Sequence, residues 1–194
     1  LCAQYPNEIP NERTYCKIRR DSIEYHIPRC AYVVSDLIIF TTTQDMSNHN
    51  NANYVLQMAK KMAINGIYNA EKPSLIIVCN RTLDEKTEYF QDPNFATSDF
   101  FDVHDDEKTL LHWYHDVKVL IVPVKSSNNL FEKQIQLLNS LVIDMLEARR
   151  NHKVKIGTSF GRDLWALIFC QVVRNLNTGQ PLRMGKLLAD AYAV

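Results

Sequence analysis

Apolar and polar positions follow two different rhythms along this chain. Three short runs have an uninterrupted apolar centre: residues 36–43 (DLIIFTTT), 74–79 (SLIIVC) and 117–124 (VKVLIVPV). Runs of this length, rich in β-branched residues and bounded by turn formers, predict strands buried on both faces, as in a parallel sheet. Elsewhere the apolar spacing changes to three and four. Val55, Met58, Ala59, Met62 and Ala63 predict a helix over residues 54–67, and Ile135, Leu138, Val142, Met145 and Leu146 form the stripe of a long amphipathic helix over residues 130–150. Another helix is expected from Arg162 to Asn177, closed by Gly179, and residues 184–193 open a further one.

The remaining segments are less regular. Pro6, Asn7, Pro10 and Asn11 mark an N-terminal loop. Residues 14–20 and 22–27 partly alternate and predict a short hairpin turning at Arg20 and Asp21, interrupted by Pro28. Residues 84–116 are acidic and aromatic, with Tyr89, Phe90, Phe95, Phe100, Phe101 and Trp113, and are expected to be a loop-rich insertion closed by a short helix over residues 108–115. Strand, helix, strand, insertion, strand, helix is the order produced by right-handed parallel crossovers, so the fold class is a mostly parallel α/β domain.

Composition narrows the function. With 46% apolar and 10% aromatic residues in 194, the chain has enough material for a sizeable core. Lys plus Arg equals Asp plus Glu at 22 each, which removes the electrostatic case for nucleic acid as a partner. The five cysteines form no CxxC pair, and Cys79 and Cys170 lie inside apolar runs; buried, reduced thiols in a cytoplasmic protein are expected, with no metal site. No apolar run reaches the roughly 18 residues a membrane helix needs. The first residue is Leu, so a portion of a longer protein is expected.

Neither a histidine metal site nor a serine nucleophile is supported by the spacing. His112 and Asp116 are four apart on an expected helix face near His104, His115, Asp102, Asp105 and Asp106, but no HExxH-like spacing accompanies them. Ser159 lies in GTSFG rather than a GxSxG elbow, and no strand precedes it. No catalytic residue is assigned.

In an open parallel sheet, ligands bind beyond the carboxyl ends of the strands. Two of these tips are polar: Asn80-Arg81-Thr82 with Asp84 nearby, and Lys125-Ser126 before Ser127-Asn128-Asn129. Such a set suits a purine. The Asn80 amide would brace neighbouring loops, the aliphatic stem of Arg81 would lie against the base, and the Asp84 carboxylate would accept from guanine N1–H and its exocyclic amine. A backbone N–H at Lys125-Ser126 would donate to the guanine carbonyl oxygen.

This order of elements resembles the later part of a GTPase domain of the dynamin superfamily, in the branch of guanylate-binding proteins and atlastins. Residues 74–81 (SLIIVCNR) look like the strand and basic tip of the guanine-specificity motif, and residues 117–127 (VKVLIVPVKSS) resemble the following strand and base-contacting loop. Residues 36–44 (DLIIFTTTQ) fit the preceding strand. Residues 161–194 (GRDLWALIFCQVVRNLNTGQPLRMGKLLADAYAV) resemble the closing helix, an N-x-G-x-P turn and the first helix of an adjoining helical domain.

The resemblance implies a three-layer α/β/α fold of the P-loop GTPase type over residues 31–178, preceded by a loop and hairpin over 1–30 and followed by the start of a helical domain at 179–194. It implies guanine nucleotide as ligand, with Asn80, Arg81, Asp84, Lys125 and Ser126 around the base, GTP or GDP with Mg²⁺ as cofactors, self-association through this domain, and membrane association through parts not contained here. Two departures stand out. None of the five glycines lies in a GxxxxGK[ST] loop and no DxxG follows, so these residues contain no phosphate cradle. Thr82, not an acid, follows Arg81. Three readings therefore remain: part of an active dynamin-like GTPase, a pseudo-GTPase serving as a binding scaffold, or an unrelated α/β binding module. Under the first two, the strand at 36–40 has an edge that a phosphate-loop strand or another segment is expected to pair with.

Overall fold

A computed structural model describes residues 16–17, 19–20, 27–43, 53–54, 57, 72–82, 87–90, 92–104, 107–123, 128–157, 159 and 161–178. They fall into two compact units, one built from Ser35–Lys60 and Asn69–Ser159, the other containing the helices at Ile27–Val34 and Arg162–Thr178.

The first unit is organised by a three-stranded parallel sheet of β1 (Leu37–Thr42), β2 (Ser74–Thr82) and β3 (Val117–Pro123), in the order β1-β2-β3. The α/β architecture expected from the sequence is therefore present, with β2 at the centre. Register places Ile76 and Val78 on one face with Leu120 and Val122, where Met145 completes a cluster against Phe131, Ile135, Leu138, Leu141 and Val142 of the long helix. Leu75, Ile77, Cys79, Val119 and Ile121 line the opposite face and are fully buried. Burial on both faces explains why residues 75–79 and 119–122 are apolar without interruption.

β1 departs from that expectation. Ile39 is 46% exposed, and exposure alternates along the strand instead of vanishing. Ile39 and Thr41 share the face of the long helix, which packs chiefly on β3. Phe40 is instead covered by stacking on Tyr54, with ring centroids 5.2 Å apart.

The two outer edges of the sheet are treated differently. Along β3, the Val117 N–H donates to Asp116 Oδ1 at 2.8 Å and the Val119 N–H to Thr97 Oγ1 at 3.0 Å, while Pro123 has no N–H. Side chains thus occupy two of the donors that another strand would use. On β1, the Asp36 carbonyl accepts from the Ser74 N–H at 2.9 Å, which turns the donors of Ile38, Phe40 and Thr42 toward β2 and those of Leu37, Ile39 and Thr41 outward. Among the described residues nothing pairs with that edge. The Ile39 and Thr41 amides are expected to exchange with solvent deuterium at least about a hundredfold faster than Phe40. Equal protection of Ile39 and Phe40 would show that the edge is paired.

Residues 84–116 are far more helical than expected. A 3-10 turn (Thr87–Phe90), helix α2 (Pro93–His104) and helix α3 (Glu107–Trp113) lie inside this stretch, α1 being Ile27–Val34. Asp92 caps α2 by accepting the Asn94 N–H at 2.8 Å, and Pro93 occupies the first helical position, where no N–H is needed. Tyr89, Ala96, Phe100, Leu110 and Tyr114 are buried, so part of the stretch expected to be an insertion is core, while Phe95 is exposed. His115 and Asp116 follow the end of α3, so His112 and Asp116 do not share a helix face. Among the described residues no group of three or more His, Cys, Asp or Glu side chains is placed to hold a metal ion.

Helix α4 (Asn128–Ile156) extends beyond the expected 130–150 at both ends and stops at Gly157, whose φ of 72° is the left-handed conformation that glycine adopts without a Cβ clash.

In the second unit α1 packs on α5 (Arg162–Thr178), with Tyr32, Ile168 and Val172 buried. Burial pushes the Tyr32 phenol well above its ordinary range. The predicted hairpin is not formed where it is described: residues 16, 17, 19 and 20 are helical, and α1 begins at Ile27 with Pro28 in its first turn. Cys170, expected to be buried, is exposed on α5, whereas Cys79 is buried as expected. Of the helix expected over 54–67, residues 54 and 57 are described and are helical; the segment 179–194 lies outside the described residues. No described helix is long and apolar enough to cross a membrane.

Candidate functional site

β2 and β3 run side by side to their carboxyl ends, with Cys79 opposite Ile121, Asn80 opposite Val122 and Thr82 opposite Pro123. The pairing slips between Asn80 and Thr82, so Arg81 is an extra residue at the tip of the central strand. A bulge there bends the strand and re-aims the side chains that follow. Asn80 shares the α4 face with Val78 and Val122 and is half-buried, the first polar side chain after the apolar run.

The sheet thus brings the Asn80-Arg81 tip next to the end of β3, after which the chain enters Lys125-Ser126 and then α4 at Asn128. The backbone of Arg81 is part of β2, and its side chain lies outside the description. Asp84, Lys125 and Ser126 lie outside the described residues. The first turn of α4, next to the β3 tip, contains no acidic residue to offset the positive end of the helix dipole.

Several residues that hold this end together were not singled out in the sequence. Gln134 of α4 is buried, and its Nε2 donates to the Phe90 carbonyl at 3.1 Å, tying the helix to the 3-10 turn that follows the β2 tip. Its Oε1 is buried without a hydrogen-bond partner. Tyr89 donates its hydroxyl to Asp99 and packs its ring on Phe95, with centroids 5.5 Å apart. A lone Gln at an inward position of an otherwise apolar stripe was the available signal, since a buried carboxamide needs a partner.

At the opposite, amino end of β3, an open polar recess lies among Asn94, Ser98, Asp102 and Lys118, where the Lys118 ammonium donates to Asn94 Oδ1 at 3.1 Å. Comparison with known proteins finds no matching family model, no matching curated protein and no matching solved structure.

Proposed function

We propose that this chain carries the base-binding side of a guanine-nucleotide site, as part of a dynamin-like large GTPase that self-associates through this domain. The observation that carries the reading is the pair of adjacent parallel strand ends, with a bulge at Arg81 placing an Asn-Arg tip beside the segment that leads into Lys125 and Ser126. Ligand sites of open parallel sheets lie at such ends. Arg81 lies along the base, Asn80 braces the loop, Asp84 accepts from guanine N1–H and the exocyclic amine, and a backbone N–H at Lys125-Ser126 donates to the carbonyl oxygen. Because Thr82 follows Arg81, the acidic role falls to Asp84.

The residues present suit a base but not a triphosphate. Without a GxxxxGK[ST] loop they supply neither a phosphate cradle nor a Mg²⁺ ligand set, and no hydrolytic step is assigned to them. A scaffold that has kept the fold and lost the chemistry is the second reading.

Calorimetry with GTP, GDP and ATP separates the two. Base contacts alone correspond to about 4–5 kcal/mol, a Kd of about a millimolar or somewhat below, with GTP and GDP bound alike and ATP excluded. Asp84→Ala should abolish the preference for guanine, since a hydrogen bond to a charged group contributes about 1.5–3 kcal/mol. No heat with any nucleotide would favour the scaffold.

A further inference from the structure

At the amino end of β3, the end of the strands away from the proposed base site, α2 and the outer strand flank an open recess of about 280 Å³. One wall is a face of α2, where Asn94, Ser98, Phe101 and Asp102 recur at helical spacing. Leu111 of α3, Asp116 at the entry to β3 and Lys118 of β3 complete the lining. The walls are held in place. Thr97, on the same face of α2, accepts the Val119 N–H at 3.0 Å, and Ala96 and Phe100 anchor the helix in the core. A ligand therefore meets a recess that is already formed.

Opposite charges share this recess without meeting. The Lys118 ammonium donates to Asn94 Oδ1 at 3.1 Å, which uses one of its three N–H groups. Asp116 accepts the Val117 N–H on Oδ1 at 2.8 Å and has a second oxygen. Asp102 is exposed near the end of α2. Among the described residues neither carboxylate forms an ion pair with Lys118, although all three line one recess. Protection of the sheet edge accounts for Thr97 and Asp116, which occupy strand donors. It does not account for Asp102 and Lys118, or for Leu111, which is 39% exposed in the same lining as Phe101.

Size and charge together select the ligand. The volume is at the small end of the roughly 300–1,000 Å³ of ligand pockets, which favours a small molecule over a nucleotide. A simple anion would meet two carboxylates, and a simple cation or metal ion would meet the lysine. A molecule that carries both charges meets neither conflict. We infer that this recess binds a free amino acid with an apolar side chain. Its carboxylate accepts from Lys118 and from the Ser98 hydroxyl, and its ammonium donates to Asp102 and to the second oxygen of Asp116. Its side chain lies on Phe101 and Leu111. The inference is independent of the nucleotide reading, which concerns the other end of the strands.

The test is backbone amide NMR of the full chain at about pH 7, where amines and carboxylates keep their charges. Three ligands are titrated: leucine, isoamylamine (leucine without its carboxylate) and isocaproate (leucine without its ammonium). Leucine should give saturable shifts at the Ser98, Asp102 and Lys118 amides, with a Kd of about a millimolar. Each single-charge analogue should bind roughly tenfold more weakly. Two variants localise the charges. Asp102→Asn should weaken leucine about fivefold and leave isocaproate unchanged, and Lys118→Gln should weaken leucine about fivefold and leave isoamylamine unchanged. A variant that merely damaged the fold would weaken all three ligands alike, so the crossed pattern belongs to the site. Leucine shifts that are absent at these amides, or unsaturated at about 20 mM, overturn the site. Either analogue binding as tightly as leucine overturns the zwitterion, as does leucine affinity unchanged in both variants. Glycine should bind roughly tenfold more weakly than leucine, and equal binding overturns the contact with Phe101 and Leu111.

Discussion

Phe100→Ala is expected to lower the unfolding free energy by about 3–5 kcal/mol, a large part of the roughly 5–15 kcal/mol that holds a domain together. Phe100 sits on α2 with no exposed surface and meets Phe101 edge to face, with centroids 5.7 Å apart. Truncation removes the transfer free energy of the ring and leaves a cavity that helix α2, held by its Asp92 cap and by Thr97 on the β3 edge, cannot collapse to fill. Were residues 84–116 a solvated insertion, the same substitution would change stability by no more than about 0.5 kcal/mol. Urea unfolding of the two proteins, compared at equal slope, separates these outcomes.

Leu120→Ala should cost about 3–4 kcal/mol, with the contrast at the sheet edge as its control. Leu120 of β3 is fully buried against α4, in the cluster with Ile76, Val78, Val122 and Met145. Ile39 lies on the same face of the opposite outer strand, β1, and is 46% exposed. Ile39→Ala should therefore cost under about 1.5 kcal/mol, because much of its side chain is already in water. Thermal unfolding of both variants measures the difference. Equal losses would mean that β1 is covered as thoroughly as β3.

The strands were legible for a simple reason. A parallel strand buried on both faces has to be apolar along its whole length, and residues 74–79 and 117–124 satisfy that condition. The same rule misled at residues 36–43, since an apolar run reports what could be buried, not whether a neighbour is there to bury it. Residues 84–116 were misread because acidic residues interleave with the aromatic ones and blur the helical period. The helix start was nonetheless written in Asp92-Pro93, a cap followed by a residue that needs no N–H donor. α4 outran its apolar stripe because its last turns carry the polar residues Asn151, His152 and Lys153, while the helix continues to Gly157. At the candidate site, the order Asn80-Arg81 after a buried strand could be read directly. The bulge at Arg81 could not, because it depends on how β2 pairs with β3.

The central claim is that the tips of β2 and β3 bind a guanine base. Backbone amide NMR of the isotopically labelled chain, titrated in parallel with GDP and ADP, tests it at the residues themselves. The predicted result is saturable shifts with GDP at Asn80, Arg81, Asp84, Lys125 and Ser126, weak or absent with ADP, and none from GDP's base at Ile76 or Leu120. Shifts of equal size with both nucleotides, or no shifts at these five residues at millimolar GDP, would contradict it.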